Sequence, residues 1–202
     1  MPPKTKSLSG TTHGSIECIN GQWYVFYHRL THKSDYSRQA CAEPITILPD
    51  GSIPQVEITS CGLNGKPLHG TGTYPAVIAC NITNGHMPHG SNKIYTDSFP
   101  NATHCGEDRF IGEIQNGTML GYKYFAFSGA KEIGVQYRGS CNGKFVVSDD
   151  MDGKNIVAEI PVAPADAWTE SRAPLHISDG THPLYLFYRG DGEAAVKELY
   201  LA

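Results

Sequence analysis

The 202-residue chain contains no apolar run long enough to span a bilayer. It has no basic excess: 16 Lys+Arg stand against 20 Asp+Glu, for a formal charge of −4. A chain so balanced offers no broad positive field, so neither nucleic acid nor a membrane is an expected partner. Met1–Gly10 carries two lysines but no apolar stretch behind them, and it does not read as a signal peptide. Its six cysteines include no C-x-x-C pair, which argues against a structural zinc site. They read as small buried hydrophobes or as one or two disulfides, with Cys80–Cys105 the pairing to test. G-x-S-x-G, P-loop and H-E-x-x-H motifs are absent as well.

Turns are plentiful. Twenty-two Gly and thirteen Pro punctuate the chain at short intervals and leave little room for long helices. Asn20-Gly21 separates a short strand, Ile16–Ile19, from a dense aromatic one, Trp23–His28. Ala40–Pro44 and Ile45–Leu48 read as further extended pieces. Asn116-Gly117 is a second hairpin signal, followed by an aromatic strand at Met119–Phe127. Strict alternation would put Tyr122, Tyr124 and Ala126 on one face and Lys123, Phe125 and Phe127 on the other. Tyr74–Ile82, Lys131–Tyr137, Lys144–Val147, Asn155–Ile160, Ala173–Ile177, Leu184–Tyr188 and Ala195–Leu201 continue the series. Strands at this spacing with Gly-rich turns imply an all-β sandwich or jelly roll. Three sequons, at Asn81, Asn101 and Asn116, matter only in a eukaryotic secreted protein.

Two stretches carry family resemblances. T-H-G-S-I-x-x-x-N-G-Q-W-Y-x-F-Y-H-R followed by Y-S-R-Q-A-C-x-E-P-I-x-I-L-P-D-G-S, over roughly Thr12–Leu63, resembles the closing part of a family 43 glycoside hydrolase catalytic domain. That family's catalytic domain is a five-bladed β-propeller. The segment around Asn116-Gly117 and the text G-T-H-P-L-Y-L-F-Y-R-G, with Pro183 where Asp is usual, resemble a family 6 carbohydrate-binding module. The implied layout is a remnant last blade at 1–60, a linker at 61–73 and a β-sandwich module at 74–202. A lone blade leaves apolar faces uncovered, so it must pack on the module, exchange with another copy or belong to a truncated product.

The resemblance implies non-catalytic binding of plant cell-wall polysaccharide, xylan or arabinoxylan first, outside the cell. Trp168 is the expected sugar platform, because an indole face matches the C–H face of a pyranose; the competing reading is a rim residue at the sandwich edge. It falls in Pro164–Glu170, a segment read as lying between strands. Phe110, Glu113 and Lys197 are the polar and aromatic candidates beside it, although the family commonly has an aromatic near Glu113 and an Asn near Lys197. Tyr122, Tyr124 and Tyr137 could line a second cleft or simply be core. The acid and base of family 43 catalysis would lie in earlier blades, and neither Asp35 nor Glu43 sits in a catalytic motif. His13 matches a residue near the propeller axis. A calcium ion accompanies many family 6 modules, but the matching positions Ala79–Asn81 hold Ala, Cys and Asn, so no cofactor is required. Asp149, Asp150 and Asp152 read as a solvated turn. Two alternatives remain: part of an arabinofuranosidase or xylosidase completed by other blades, or a self-assembling structural sandwich joined through the remnant blade.

Overall fold

A computed structural model describes residues 13–85 and 99–202, apart from the side chain at position 35. Met1–Gly10 and most of the loop expected at Thr83–Asn92 lie outside the described residues.

The first three strands form a sheet of their own: β1 (Ser15–Ile19), β2 (Gln22–Thr31) and β3 (Ser34–Ile45), ordered β1-β2-β3 and antiparallel. The Asn20-Gly21 hairpin forms as the sequence implies, with both residues at positive φ. What read as two extended pieces after Tyr36 is one continuous strand as far as Ile45. Tyr24 packs inward, whereas Trp23 on the opposite face is 41% exposed.

The chain then crosses through β4 (Leu68–His69), β5 (Gly72–Pro75), a 3-10 turn at Ala76–Ile78 and β6 (Asn81–Thr83). The expected single strand at Tyr74–Ile82 is therefore broken by the turn. Nine longer strands follow: β7 (Asn101–Cys105), β8 (Asp108–Ile114), β9 (Met119–Phe127), β10 (Glu132–Gly139), β11 (Asn142–Ser148), β12 (Ile156–Val162), β13 (Ala165–Pro174), β14 (Gly180–Asp191) and β15 (Ala194–Leu201). They build two sheets. One runs β13-β10-β15-β8-β7, with β5 also on β15; the other runs β12-β11-β14-β9-β4, with β6 also on β9. Leu68 and His69, in the stretch expected as linker, pair in parallel with Phe125 and Ala126.

The core between these sheets follows the period-2 pattern. Ile133, Val135 and Tyr137 of β10 point inward, meeting Phe145 and Val147 of β11 and Leu184, Leu186 and Tyr188 of β14. Tyr122 and Tyr137 are core residues, so neither lines a surface cleft; their hydrophobic bodies outweigh the hydroxyls, which find partners at the Ala76 carbonyl and the Ala163 N–H. Alternation fails once in β9. Tyr122 and Phe125 both face the core, because β9 has one residue more than β14 between their pairings to Leu184 and His182. The bulge turns Lys123 and Tyr124 outward together, where both reach the Glu57 carboxylate, at 2.8 and 3.1 Å. All six cysteines are free thiols, and Cys80–Cys105 is not a disulfide.

The N-terminal sheet packs on the sandwich rather than standing apart. The Arg29 guanidinium donates to the carbonyls of Val77 and Ala79 and to the Gln39 side chain. Burial pushes its pKa down. Glu43, only 2% exposed, accepts from the Thr59 N–H at 2.7 Å, the Thr59 hydroxyl at 2.6 Å and the Tyr27 hydroxyl at 3.0 Å, tying β2 and β3 to the chain that leads away from them.

Candidate functional site

Three of the four residues singled out from the sequence sit at register breaks on the outer face of the β13-β10-β15-β8-β7 sheet. β8 has an extra residue relative to β15 between Ile111 and Ile114, and Glu113 there adopts φ +57°. β15 has an extra residue relative to β10, Lys197. β13 bulges over Asp166–Trp168, opposite Arg138. Trp168 is therefore not between strands, as its polar neighbours suggested; it belongs to β13, an edge strand whose outer face is wet, so polarity there marks exposure and not a loop. Bulges re-aim side chains without interrupting the sheet, and here three of them turn groups toward one patch.

Asp108 organises that patch. One carboxylate oxygen accepts the Trp168 indole N–H at 2.7 Å and the other accepts Lys197 Nζ at 2.6 Å. The Lys197 bond foremost, and then the indole bond, hold the Asp108 carboxyl below the usual carboxylate range. The Arg138 guanidinium lies over the indole, 4.4 Å from its centroid, and 5.2 Å from the Phe110 ring. Phe110 is 9% exposed and meets Trp168 edge-on at 5.5 Å. Trp168 is half-buried, with its polar edge tied down and one region of its ring under a cation.

Beside this cluster opens a cleft of about 690 Å³, whose lining includes Phe110, Glu113, Arg138, Asp166 and Glu193 together with His32 and Lys33 from the N-terminal sheet. Glu113 accepts from Asn101 Nδ2 at 3.2 Å and pairs with the Lys33 ammonium. The cleft thus brings Phe110 and Glu113 together; Trp168 and Lys197 do not line it, and Trp168 adjoins it through Phe110 and Arg138. Sequence reasoning missed Asp108, Arg138, Asn101 and the 32–33 turn. Nothing local marks them, since each is placed by strand pairing.

His32 and His104 stand ring to ring, 2.5 Å between Nε2 and Nδ1, and the Thr103 hydroxyl lies 2.8 Å from His32 Nδ1. Burial, and then the His104 charge, lower the His32 pKa below its ordinary 6.5. Arg38 and Arg109 line the same side. A histidine whose folded pKa is depressed gives stability that is complete above the unfolded value and is lost as pH falls through the folded one. Wild-type protein should therefore lose melting temperature between pH 7.5 and 5, and His32→Asn should lose less. Parallel curves for the two proteins would remove His32 from the pH response.

The positions matching the family's calcium site, Ala79–Asn81, hold other contacts. The Ala79 carbonyl already receives the Arg29 guanidinium, and the Cys80 thiol points at the Gly121 carbonyl. A hard divalent cation needs six or more oxygens, and a fixed guanidinium on one of them opposes it. Among the described residues no group of three or more His, Cys, Asp or Glu stands close enough to hold a metal. Asp150 spends its carboxylate on the backbone N–H groups of Lys154 and Asn155, as a turn residue does.

A curated protein named xylosidase/arabinosidase, from Thermoclostridium stercorarium, is 43% identical over 211 residues, covering 98% of this chain and 43% of that protein. The chain is related in sequence to that protein. It spans less than half the length of the curated protein it matches. A family 43 arabinoxylan arabinofuranohydrolase from Bacillus subtilis, solved with cellotetraose, superposes with a TM-score of 0.60 at 18% identity, over 96% of this chain and 41% of that one. A family 6 carbohydrate-binding module from Clostridium cellulolyticum, solved with xylose, gives 0.55 at 15% identity, over 66% of this chain and 98% of that one. A family 6 module from Clostridium stercorarium, solved with cellobiose, gives 0.55 at 14% identity, over 68% and 98%. The two-sheet part therefore has the family 6 fold. No family model matches the chain.

Proposed function

We propose that the family 6 sandwich binds plant cell-wall polysaccharide, xylan or arabinoxylan first, as the accessory module of an extracellular family 43 glycoside hydrolase. The observation that carries this is the open cleft beside Trp168, lined by a carboxylate, an ammonium, a guanidinium and an amide from four separate elements. Such a mixture suits a ligand that both donates and accepts hydrogen bonds along its length, as a chain of hydroxyls does. Trp168 braces the wall through Asp108 and Arg138 and offers its remaining exposed surface to a sugar ring. Affinity per site is weak, and the tether to a catalyst raises local substrate concentration. Trp168→Ala is expected to weaken xylan binding about tenfold, near 1.4 kcal/mol, and to run faster than wild type in xylan affinity gels. Equal migration would take Trp168 out of the site.

A second reading treats the N-terminal sheet as the last blade of a propeller whose other blades carry the catalytic carboxylates. Ile16 at 45% and Trp23 at 41% exposure favour it, since they leave an apolar face for a neighbour to cover. The chain alone should then release no nitrophenol from pentoside substrates. Release that an acidic substitution abolishes would place catalysis in this chain instead.

A further inference from the structure

The two hairpin turns of the N-terminal sheet both run at positive φ but carry opposite chemistry. Asn20-Gly21 joins β1 to β2 with φ values of +52° and +83°. His32-Lys33 joins β2 to β3 with φ values of +55° and +48°. A two-residue turn with both residues at positive φ favours Asn-Gly because larger side chains strain there, by roughly 1–2 kcal/mol per residue. The first turn uses the comfortable pair. The second carries two bulky side chains in the same strained conformation, and strain of this kind persists where the surroundings hold it.

Those surroundings are the cleft. The His32 N–H donates to the Ala102 carbonyl at 3.0 Å, its ring meets Thr103 and His104, and Lys33 pairs with Glu113. Glu113 is itself at positive φ, so the ion pair joins two strained residues from separate sheets across the cleft wall. We propose that the saccharide cleft is composite, with the 32–33 turn of the N-terminal sheet as one wall and Lys33 as a direct contact for the sugar hydroxyls. This rests on the sugar-binding reading above and adds that the family 6 sandwich does not hold the whole site. The Lys33 ammonium donates to hydroxyl oxygens while Glu113 beside it accepts from hydroxyl protons, and Arg138 lines the same cleft. Affinity and the docking of the N-terminal sheet are consequently linked, because each helps to fix the other.

The test exchanges one turn for the other. The double variant His32→Asn, Lys33→Gly keeps a favoured turn, removes both side chains and relieves the strain, so the hairpin is expected to fold. Lys33→Gln, which keeps His32 and its contacts, is the second variant. Calorimetric titration of the full chain with xylohexaose should show affinity at least fivefold weaker in the double variant and about threefold weaker in Lys33→Gln, with circular dichroism unchanged. Wild-type affinity in both variants would overturn the composite cleft and leave the sugar-binding reading standing. A wild-type chain that binds no glycan on an array would overturn the sugar-binding reading and this inference with it.

Discussion

Arg29→Ala is expected to lower the melting temperature of the chain by roughly 6–12 °C. The guanidinium is the main polar tie between the two parts of the molecule, since it reaches the Val77 and Ala79 carbonyls at once and is braced by Gln39 Oε1 at 2.9 and 3.1 Å. Hydrogen bonds from a charged donor contribute about 1.5–3 kcal/mol each, and a carbonyl left buried without a donor adds its own desolvation cost. Two such bonds lost, partly offset by water entering the gap, come to about 3 kcal/mol, and each kcal/mol shifts a domain of this size by about 2–4 °C. Gln39 keeps one bond to the Val77 carbonyl, so the Ala79 carbonyl bears the larger penalty. Arg29→Lys should recover only part of the loss, because an ammonium lacks the planar fork that spans two acceptors. Limited proteolysis of Arg29→Ala should cut first within residues 15–45. An unchanged melting temperature in calorimetry would show that apolar contact alone holds the N-terminal sheet.

The second large effect falls on Gly139. It ends β10 at the rim of the cleft, beside Arg138, with φ +130°, and a methyl group there would sit 2.2 Å from the Glu193 carbonyl oxygen. That oxygen belongs to the backbone and cannot swing aside, so β10 and β15 must part at the end of their pairing, where Gly139 faces Ala194. Gly139→Ala should cost about 3 kcal/mol, from an unfavourable φ and a forced backbone shift together. It should also abolish xylan retention by displacing Arg138. Gly129→Ala is the control for backbone strain alone: φ is +72° but nothing lies within 4 Å of the added methyl, so a smaller loss of about 1 kcal/mol and normal retention are expected. Equal losses in the two variants by thermal melting would mean that the close approach to Glu193 has no weight.

Much of the fold was legible because it depends on short-range rules. Asn20-Gly21 and Asn116-Gly117 announced their hairpins, and Ile133, Val135 and Tyr137 announced which face of β10 is buried. Errors arose where pairing between distant strands inserts a residue. The bulge in β9 put Phe125 in the core against strict alternation, and the bulge in β13 made a strand residue of Trp168 in a stretch that read as loop. Glu113 and Lys197 were singled out by likeness to a family pattern, yet the reason they reach one patch is a register break in each strand that no spacing in the sequence records. Lys33 carried no signal at all; its partner Glu113 is eighty residues away in the chain.

Composition, turn chemistry and alternation were enough to imply an all-β chain of short strands, because each of those depends on neighbours a few residues apart; the layout of a preceding sheet and a two-sheet body came from family resemblance. How the preceding sheet sits on the body, which carbonyls Arg29 satisfies, and which elements meet at the cleft were decided only by the tertiary structure. Those outcomes depend on the sum of register shifts along whole strands, and a shift of one residue reverses which side of the sheet a side chain occupies.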